Sequence, residues 1–318
     1  MDALSRLLDG PRGRDAYLLR ASLSAPWSIR LADESPLGLV AVISGTVWFT
    51  PDAGDPVEAR AGDVLIARGT EPVTVADTPH TPPDVIIRPG MRSITPTGED
   101  RTADLDLGLR RWGNDPDGST RLLLGCYQLR GELSHRLLAA LPPVIHVPAN
   151  ALDSPLVDVL GDEIVKDEPG QGAVLDRLFD VLLVAVLRAW HTRPGSARVG
   201  WYAAQRDAVI GPVLTLLHDE PAHPWTVAEL AERVALSRAA LARRFADLVG
   251  DPPMAYLTGW RLAVAADRLL EPNTTIEAVA REVGYSSAFA LSAAFKRERG
   301  ISPTEHRTRS ASSGSRTG

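Results

Sequence analysis

The sequence predicts an α+β protein: an N-terminal β-barrel or jelly roll, a helical middle segment, and an all-α C-terminal domain with two helix-turn-helix motifs. Three observations predict it. Over residues 20–95, short Val- and Ile-rich runs are broken at close intervals by Gly, Asp and Pro, as in antiparallel strands joined by tight turns. From about residue 133 the apolar spacing changes to the helical period. Beyond residue 225 a helix, turn, helix pattern occurs twice, with landmarks fifty positions apart.

The elements follow in order. "LVAVISGTVWFT" and "DVLIARG" read as strands, and "RAGDVLIARGTEPVTV" as turn, strand, Gly turn and strand, the rhythm of a small barrel. Residues 96–117 are polar and irregular, after which "TRLLLGCYQLR" adds one more apolar strand. "SHRLLAALPPVIHV" predicts a short helix stopped by Pro142-Pro143, "SPLVDVLGDEIVKDE" a second helix, and "GAVLDRLFDVLLVAVLRAWH" a longer third. The apolar residues of the third, from Leu175 to Trp190, cover more than one face. It belongs either in the core of its own domain or in an oligomer interface. "TRPGSARVG", 192–200, has linker composition, and the last eleven residues, "TRSASSGSRTG", are low in complexity. The expected domains are therefore a barrel over 1–130, a helical dimerisation segment and linker over 131–200, the double helix-turn-helix domain over 201–307, and a disordered tail over 308–318.

Composition bounds the function without choosing it. A chain of 318 residues with 44% hydrophobic and 23% charged residues is an ordinary globular protein of two or three domains. No run approaches 18 apolar residues, and the N-terminus shows no leader pattern, so the expected compartment is the cytoplasm, with no membrane partner. The single Cys126 excludes an internal disulfide and a thiolate metal cluster, and reads as a small buried side chain. The net charge of −6 argues weakly against nucleic acid, yet residues 201–318 alone carry 14 Lys and Arg against 13 Asp and Glu. A near-neutral domain can bind phosphates if its cations share one face.

The repeat is the most informative feature. Phe245, Gly250 and Pro253 recur as Phe295, Gly300 and Pro303, and Leu241 and Leu291 stand four residues before their Phe. Upstream, Thr226–Glu229 and Thr274–Glu277 both read as capping boxes. Each opens a short amphipathic helix carrying a small residue, Ala231 or Ala280, where a second helix can cross closely. Between the copies, "MAYLTGWRLAVAADRLL", 254–270, predicts one linking helix roughly 25 Å long. Such a strut suits two reading helices about one DNA turn, roughly 34 Å, apart.

These elements resemble the AraC/XylS family of bacterial transcription regulators. The resemblance rests on "WTVAELAERVALSRAALARRFADLVGDPPMAYLTGWRLAVAADRLL" and "TIEAVAREVGYSSAFALSAAFKRERGISPTEHR", with the signature at Ala280, Gly284, Tyr285, Phe295, Lys296, Gly300, Ser302 and Pro303. "GTVWF", "RAGDVLIARGTEP", "LLLGCYQL", "LLAALPPVIHV" and "DRLFDVLLVAVLRAW" are similar to the cupin-type sensor domain of a regulator subfamily. The resemblance implies a promoter-binding regulator, dimeric, in contact with RNA polymerase, and under control of a small-molecule effector if its barrel holds one.

By position in the family motif, Ala239, Ala242 and Arg243 face the groove in the first recognition helix. There Arg243 can donate two parallel bonds to guanine O6 and N7, while Arg238 and Arg244 approach phosphates. Taken singly, any of these arginines is as well explained as a solvated charge. In the second helix the reading positions hold Ala288, Phe289, Ser292 and Ala293, preceded by Ser286 and Ser287, with no long polar side chain. Lys296, Arg297 and Arg299 follow as phosphate contacts. The first helix is thus expected to read bases and the second to anchor.

The competing reading is a cupin enzyme or small-molecule-binding protein with a vestigial helical domain. Cupin metal sites need two or three His and a Glu converging in the barrel, but no His lies between residues 27 and 79, and none of the seven forms a close pair. No catalytic residue, metal or cofactor is therefore expected. Trp27, Leu39, Val42, Trp48 and Phe49 are the candidate walls of a ligand cavity, and a filled barrel serving only dimerisation or polymerase contact is the alternative.

Overall fold

The computed structural model describes residues 17–127, 131–132, 138–152, 154–193 and 201–314. The chain separates into two compact units. One takes in the described residues of Pro11–Leu129 and Leu141–Ser196, the other those of Arg130–Ala140 and Ala197–Gly318.

Twelve strands build the first unit: β1 (Tyr17–Leu23), β2 (Ser28–Leu31), β3 (Leu37–Ser44), β4 (Thr46–Pro51), β5 (Val57–Arg60), β6 (Val64–Arg68), β7 (Val73–Ala76), β8 (Val85–Arg88), β9 (Arg92–Ile94), β10 (Arg111–Gly113), β11 (Thr120–Tyr127) and β12 (Val144–Val147). They form two six-stranded sheets, ordered β10-β1-β11-β3-β6-β12 and β5-β4-β7-β2-β8-β9. The pairing is antiparallel except for β1 with β10 and β2 with β8. Of the barrel or jelly roll expected, the structure has the two-sheet form: among the described residues no hydrogen-bonded ladder joins one sheet to the other. Leu23, Trp27, Ile29, Val42, Phe49 and Leu122 belong to one buried apolar core. Gly45 makes the turn from β3 to β4 at φ +87°, where a Cβ would also meet Thr120 Oγ1 at 2.8 Å. Glycine is required there on both counts.

Strand β12 corrects the sequence reading, which ran Val144–Val147 into the helical region. It pairs antiparallel with β6 at a sheet edge. Ile145 and Val147 are buried while Val144 and His146 are half-buried, and a two-residue period over four residues is too short to separate from a helical one. Helices α1 (Ala149–Leu152), α2 (Leu156–Glu163) and α3 (Gln171–Thr192) follow. On α3, Leu175, Phe179, Leu182, Leu183, Val186, Leu187 and Trp190 are buried. The Phe179 ring stacks on Tyr127 with centroids 4.6 Å apart. Gly125 makes the room, because a Cβ there would lie 2.0 Å from Phe179 Cζ. This stripe is core. Val174 and Val181, seven residues apart on one helix face, stay exposed. Most of the 192–200 linker lies outside the described residues.

The second unit is helical: α4 (Trp201–Arg206), α5 (Ile210–Asp219), α6 (Val227–Arg233), α7 (Arg238–Val249), α8 (Pro253–Leu269), α9 (Ile276–Glu282), α10 (Ala288–Arg299) and α11 (Pro303–Gly314). Helix α8 is the linking helix, 17 residues long. Its first half meets the first motif, where the Tyr256 and Phe245 rings pack edge to face at 5.6 Å. Its second half supplies Leu262, Ala266 and Leu269 to a core shared with Val279, Ala280, Leu291 and Phe295. Helix α11 carries the chain to Gly314, past residue 307 where the sequence suggested the helical domain ends.

Candidate nucleic-acid interface

Each motif is set by its caps and turn. Thr226 Oγ1 accepts from Glu229 N at 3.2 Å and opens α6. In the second copy the cap is Thr275, one residue beyond the Thr274 expected from sequence: its hydroxyl accepts from Ala278 N at 3.1 Å. Neither motif uses its Glu in the reciprocal bond of a capping box. Glu229 pairs with His223 at 3.0 Å, and Glu277 accepts from Ala288 N at 3.0 Å, which ties α9 to the start of α10. In the turns, Leu236 N donates to Ala231 O at 2.9 Å and Tyr285 N to Ala280 O at 2.8 Å, the same bond 49 residues apart. Ala235 and Gly284 both take positive φ there, +53° and +83°. Gly284 is further confined, since a Cβ would lie 2.7 Å from Ala222 O. One extra residue in the second turn then moves α7 and α10 to a spacing of 50.

Helix α7 buries Leu241 and Phe245 completely and is capped by Ser237, whose hydroxyl accepts from Ala240 N at 3.2 Å. That leaves Arg238, Ala239, Arg243 and Arg244 exposed, with Ala242 half-buried. Ala239 and Arg243 are four residues apart on one helix face. Arg238 and Arg243 make no hydrogen bond or ion pair among the described residues. Arg244 is engaged: its guanidinium meets Asp207 at 2.7 Å. Partial burial works against ionisation of Asp207, but Arg244 and the N–H groups of Ile210 and Val209 outweigh it and hold the carboxyl below its usual range. The phosphate role expected of Arg244 competes with this bond.

Helix α10 buries Leu291, Ala294 and Phe295. Ser287 is its cap, accepting from Ala290 N at 3.2 Å, so this hydroxyl is committed to the helix, whereas Ser286 is exposed. Ala288 and Ser292 are half-buried, Ala293 is exposed, and Lys296 and Arg297 are exposed in the last turns. Arg299 differs from the expectation. It pairs with Glu132 at 2.8 Å and lies over the Phe295 ring, which leaves its side chain 19% exposed and takes it from the set of phosphate contacts. Phe289 is 83% exposed, the largest exposure among the exposed large hydrophobic residues. Sequence reasoning missed Asp207, Glu132 and the second job of Glu277. Each pairing spans a long gap or a turn, and no local pattern announces it.

In the first unit, a cavity lies among inward residues of both sheets, and Leu39 and Phe49 line it. Trp27 and Val42 are buried core residues outside its wall. Trp48 is only half-buried, between buried Val47 and Phe49. The pleat sends neighbouring residues to opposite faces, so Trp48 and Phe49 cannot share a wall. Histidines in both units have specific partners: His146 with Asp63, His218 with Tyr256, His223 with Glu229, and His306 with Ala266 O. Among the described residues no cluster of three metal-donor side chains occurs, and no helix is long and apolar enough to cross a membrane.

The cupin family profile matches residues 2–192, and a helix-turn-helix domain profile matches residues 230–309. An AraC-like transcription regulator of Streptomyces lividans is 34% identical over 296 residues, covering 91% of this chain and 93% of its own. The chain belongs to the AraC-like transcription regulators. The transcriptional regulator AlkR of Acinetobacter baylyi is 26% identical and spans 98% of this chain and 100% of its own. The DNA-binding domain of AdpA, solved with a target DNA, is 29% identical over 32% of this chain and 92% of that one, with a TM-score of 0.31. In this AraC-like regulator, therefore, a cupin-like sheet unit precedes a DNA-binding unit with two helix-turn-helix motifs.

Proposed function

We propose that this regulator reads promoter DNA chiefly through α7 and holds the duplex chiefly through α10. The observation that carries the reading is Arg243: exposed, without a partner among the described residues, and on the helix face opposite buried Leu241 and Phe245. Its counterpart fifty residues on is Ala293, which has no hydrogen-bonding group. Ala239 and Ala242 keep the surface beside Arg243 low enough for a base edge to approach. Arg238, Lys296, Arg297 and Ser286 meet phosphates. Ala288, Ser292 and Ala293 add at most one hydrogen bond and a thymine-methyl contact.

The division of labour follows the expected segments, with sensing in 1–130, dimerisation and linkage in 131–200, and DNA binding in 201–307. The protein acts in the cytoplasm as a homodimer, contacts RNA polymerase, answers to a small-molecule effector, and catalyses no reaction. The exposed Val174 and Val181 offer one face for the dimer. The test is Arg243→Ala, with binding sites first obtained by selection from random duplexes. Specific affinity should fall by about 5- to 150-fold, the loss of one bidentate base contact. Unchanged affinity and unchanged sequence preference would reject the assignment.

A further inference from the structure

We propose that the cavity of the sheet unit binds a slim apolar ligand carrying one positive charge, an alkylammonium in class, with its charged head at Asp33 and Glu71. The proposal rests on reading this unit as the sensor and names the chemistry it would sense. The wall is apolar, with Leu39, Phe49, Ile87 and Trp112 among its residues. Its only ionisable side chains besides Cys126 are Asp33 and Glu71, and no Lys, Arg or His occurs among the described lining residues. The cavity volume is about 50 Å³, which suits a narrow chain and not a ring system.

Charge decides the class. A carboxylate ligand would add a third carboxyl group to a wall that has no cation among its described lining residues, beside low-dielectric surfaces where repulsion is strengthened. A neutral hydroxyl can donate one hydrogen bond to a carboxylate but brings no charge to answer the pair. An ammonium answers them and can also lie near the Phe49 and Trp112 rings, as cations favour aromatic faces. Asp33 is built to receive it. Ser35 Oγ donates to Asp33 Oδ2, and Cys126 Sγ donates to the same oxygen at 3.0 Å, which fixes the carboxylate plane. Burial first, and the neighbouring Asp33 second, push the Cys126 thiol up to about 12, so it remains a protonated donor. Trp112 is fixed in turn by its Nε1 donating to Ser93 Oγ at 3.2 Å.

The experiment titrates the full chain with n-octylammonium, n-octanol and n-octanoate, which share a tail and differ in head charge, by calorimetry. The ammonium should bind about tenfold more tightly than octanol, the scale of one charge-assisted contact, with octanoate weakest. Asp33→Asn should erase most of that preference and leave octanol unchanged. Glu71→Gln, at the exposed rim, should narrow it without risk to folding. Octanoate binding as tightly as the ammonium, or no probe binding at all, overturns the proposal. Promoter affinity is measured in parallel with and without octylammonium. If the ammonium binds with the predicted preference but leaves promoter affinity unchanged, the cavity assignment stands and the effector reading fails.

Discussion

Arg243 and Phe289 occupy exposed positions on the two recognition helices with opposite chemistry, and each makes a distinct prediction. Phe289 at 83% exposure contributes little to folding, because almost none of its surface is removed from water. Phe289→Ala should leave unfolding stability within about 0.5 kcal/mol while weakening promoter binding through loss of apolar contact with thymine methyls. Equal affinity of the two forms in a fluorescence-anisotropy titration would show that Phe289 faces solvent in the complex. Asp63 makes a prediction about pH. Burial works against its ionisation, but the N–H groups of Arg60 and Ala149 and the His146 ring outweigh it and hold the carboxyl below its ordinary 3.8. A depressed carboxyl stabilises the fold above that ordinary value and ceases to as pH falls through the lower folded value. Asp63→Asn should therefore cost about 1–3 kcal/mol near neutral pH, with the difference shrinking below about pH 4 in denaturant titrations. A constant difference across the acid range would contradict the assigned bonds.

Among the elements, the caps distinguish the observed second motif from the one expected. Thr275 caps α9, so Thr275→Ala should destabilise the helical unit by about 1 kcal/mol, whereas Thr274→Ala should do much less. The reverse order in chemical denaturation would restore the cap to Thr274. The sequence offered two adjacent threonines and a Glu three residues after the first. The capping-box rule selected Thr274, and what it lacked was the long-range demand on Glu277 from Ala288 N. Buried faces were more legible: Leu241, Phe245, Leu291 and Phe295 sit where the repeat placed them, because helix periodicity and a duplicated core constrain each other. Strand β12 was hidden by its four-residue length, and the wall position of Trp48 by the one-residue uncertainty that reverses a strand's faces.

For the whole molecule, the sequence made the architecture legible through one change of period and one repeat, and family membership agrees with it. Ionic commitments were not legible. Arg244 and Arg299 read from sequence as free cations, yet one is held by Asp207 and the other by Glu132, each far along the chain. Under the proposed reading, that leaves Arg243 for base contact, and Arg238, Lys296 and Arg297 for grip on phosphates. The most direct test compares Arg243→Ala with the Lys296→Ala/Arg297→Ala double variant, each titrated on selected and random duplexes across a salt series. Arg243→Ala should lose most of the preference for the selected site. The double variant should keep that preference while its salt slope falls by about 1 per lost phosphate contact. A double variant that loses sequence preference while Arg243→Ala retains it would reverse the assignment of the two helices.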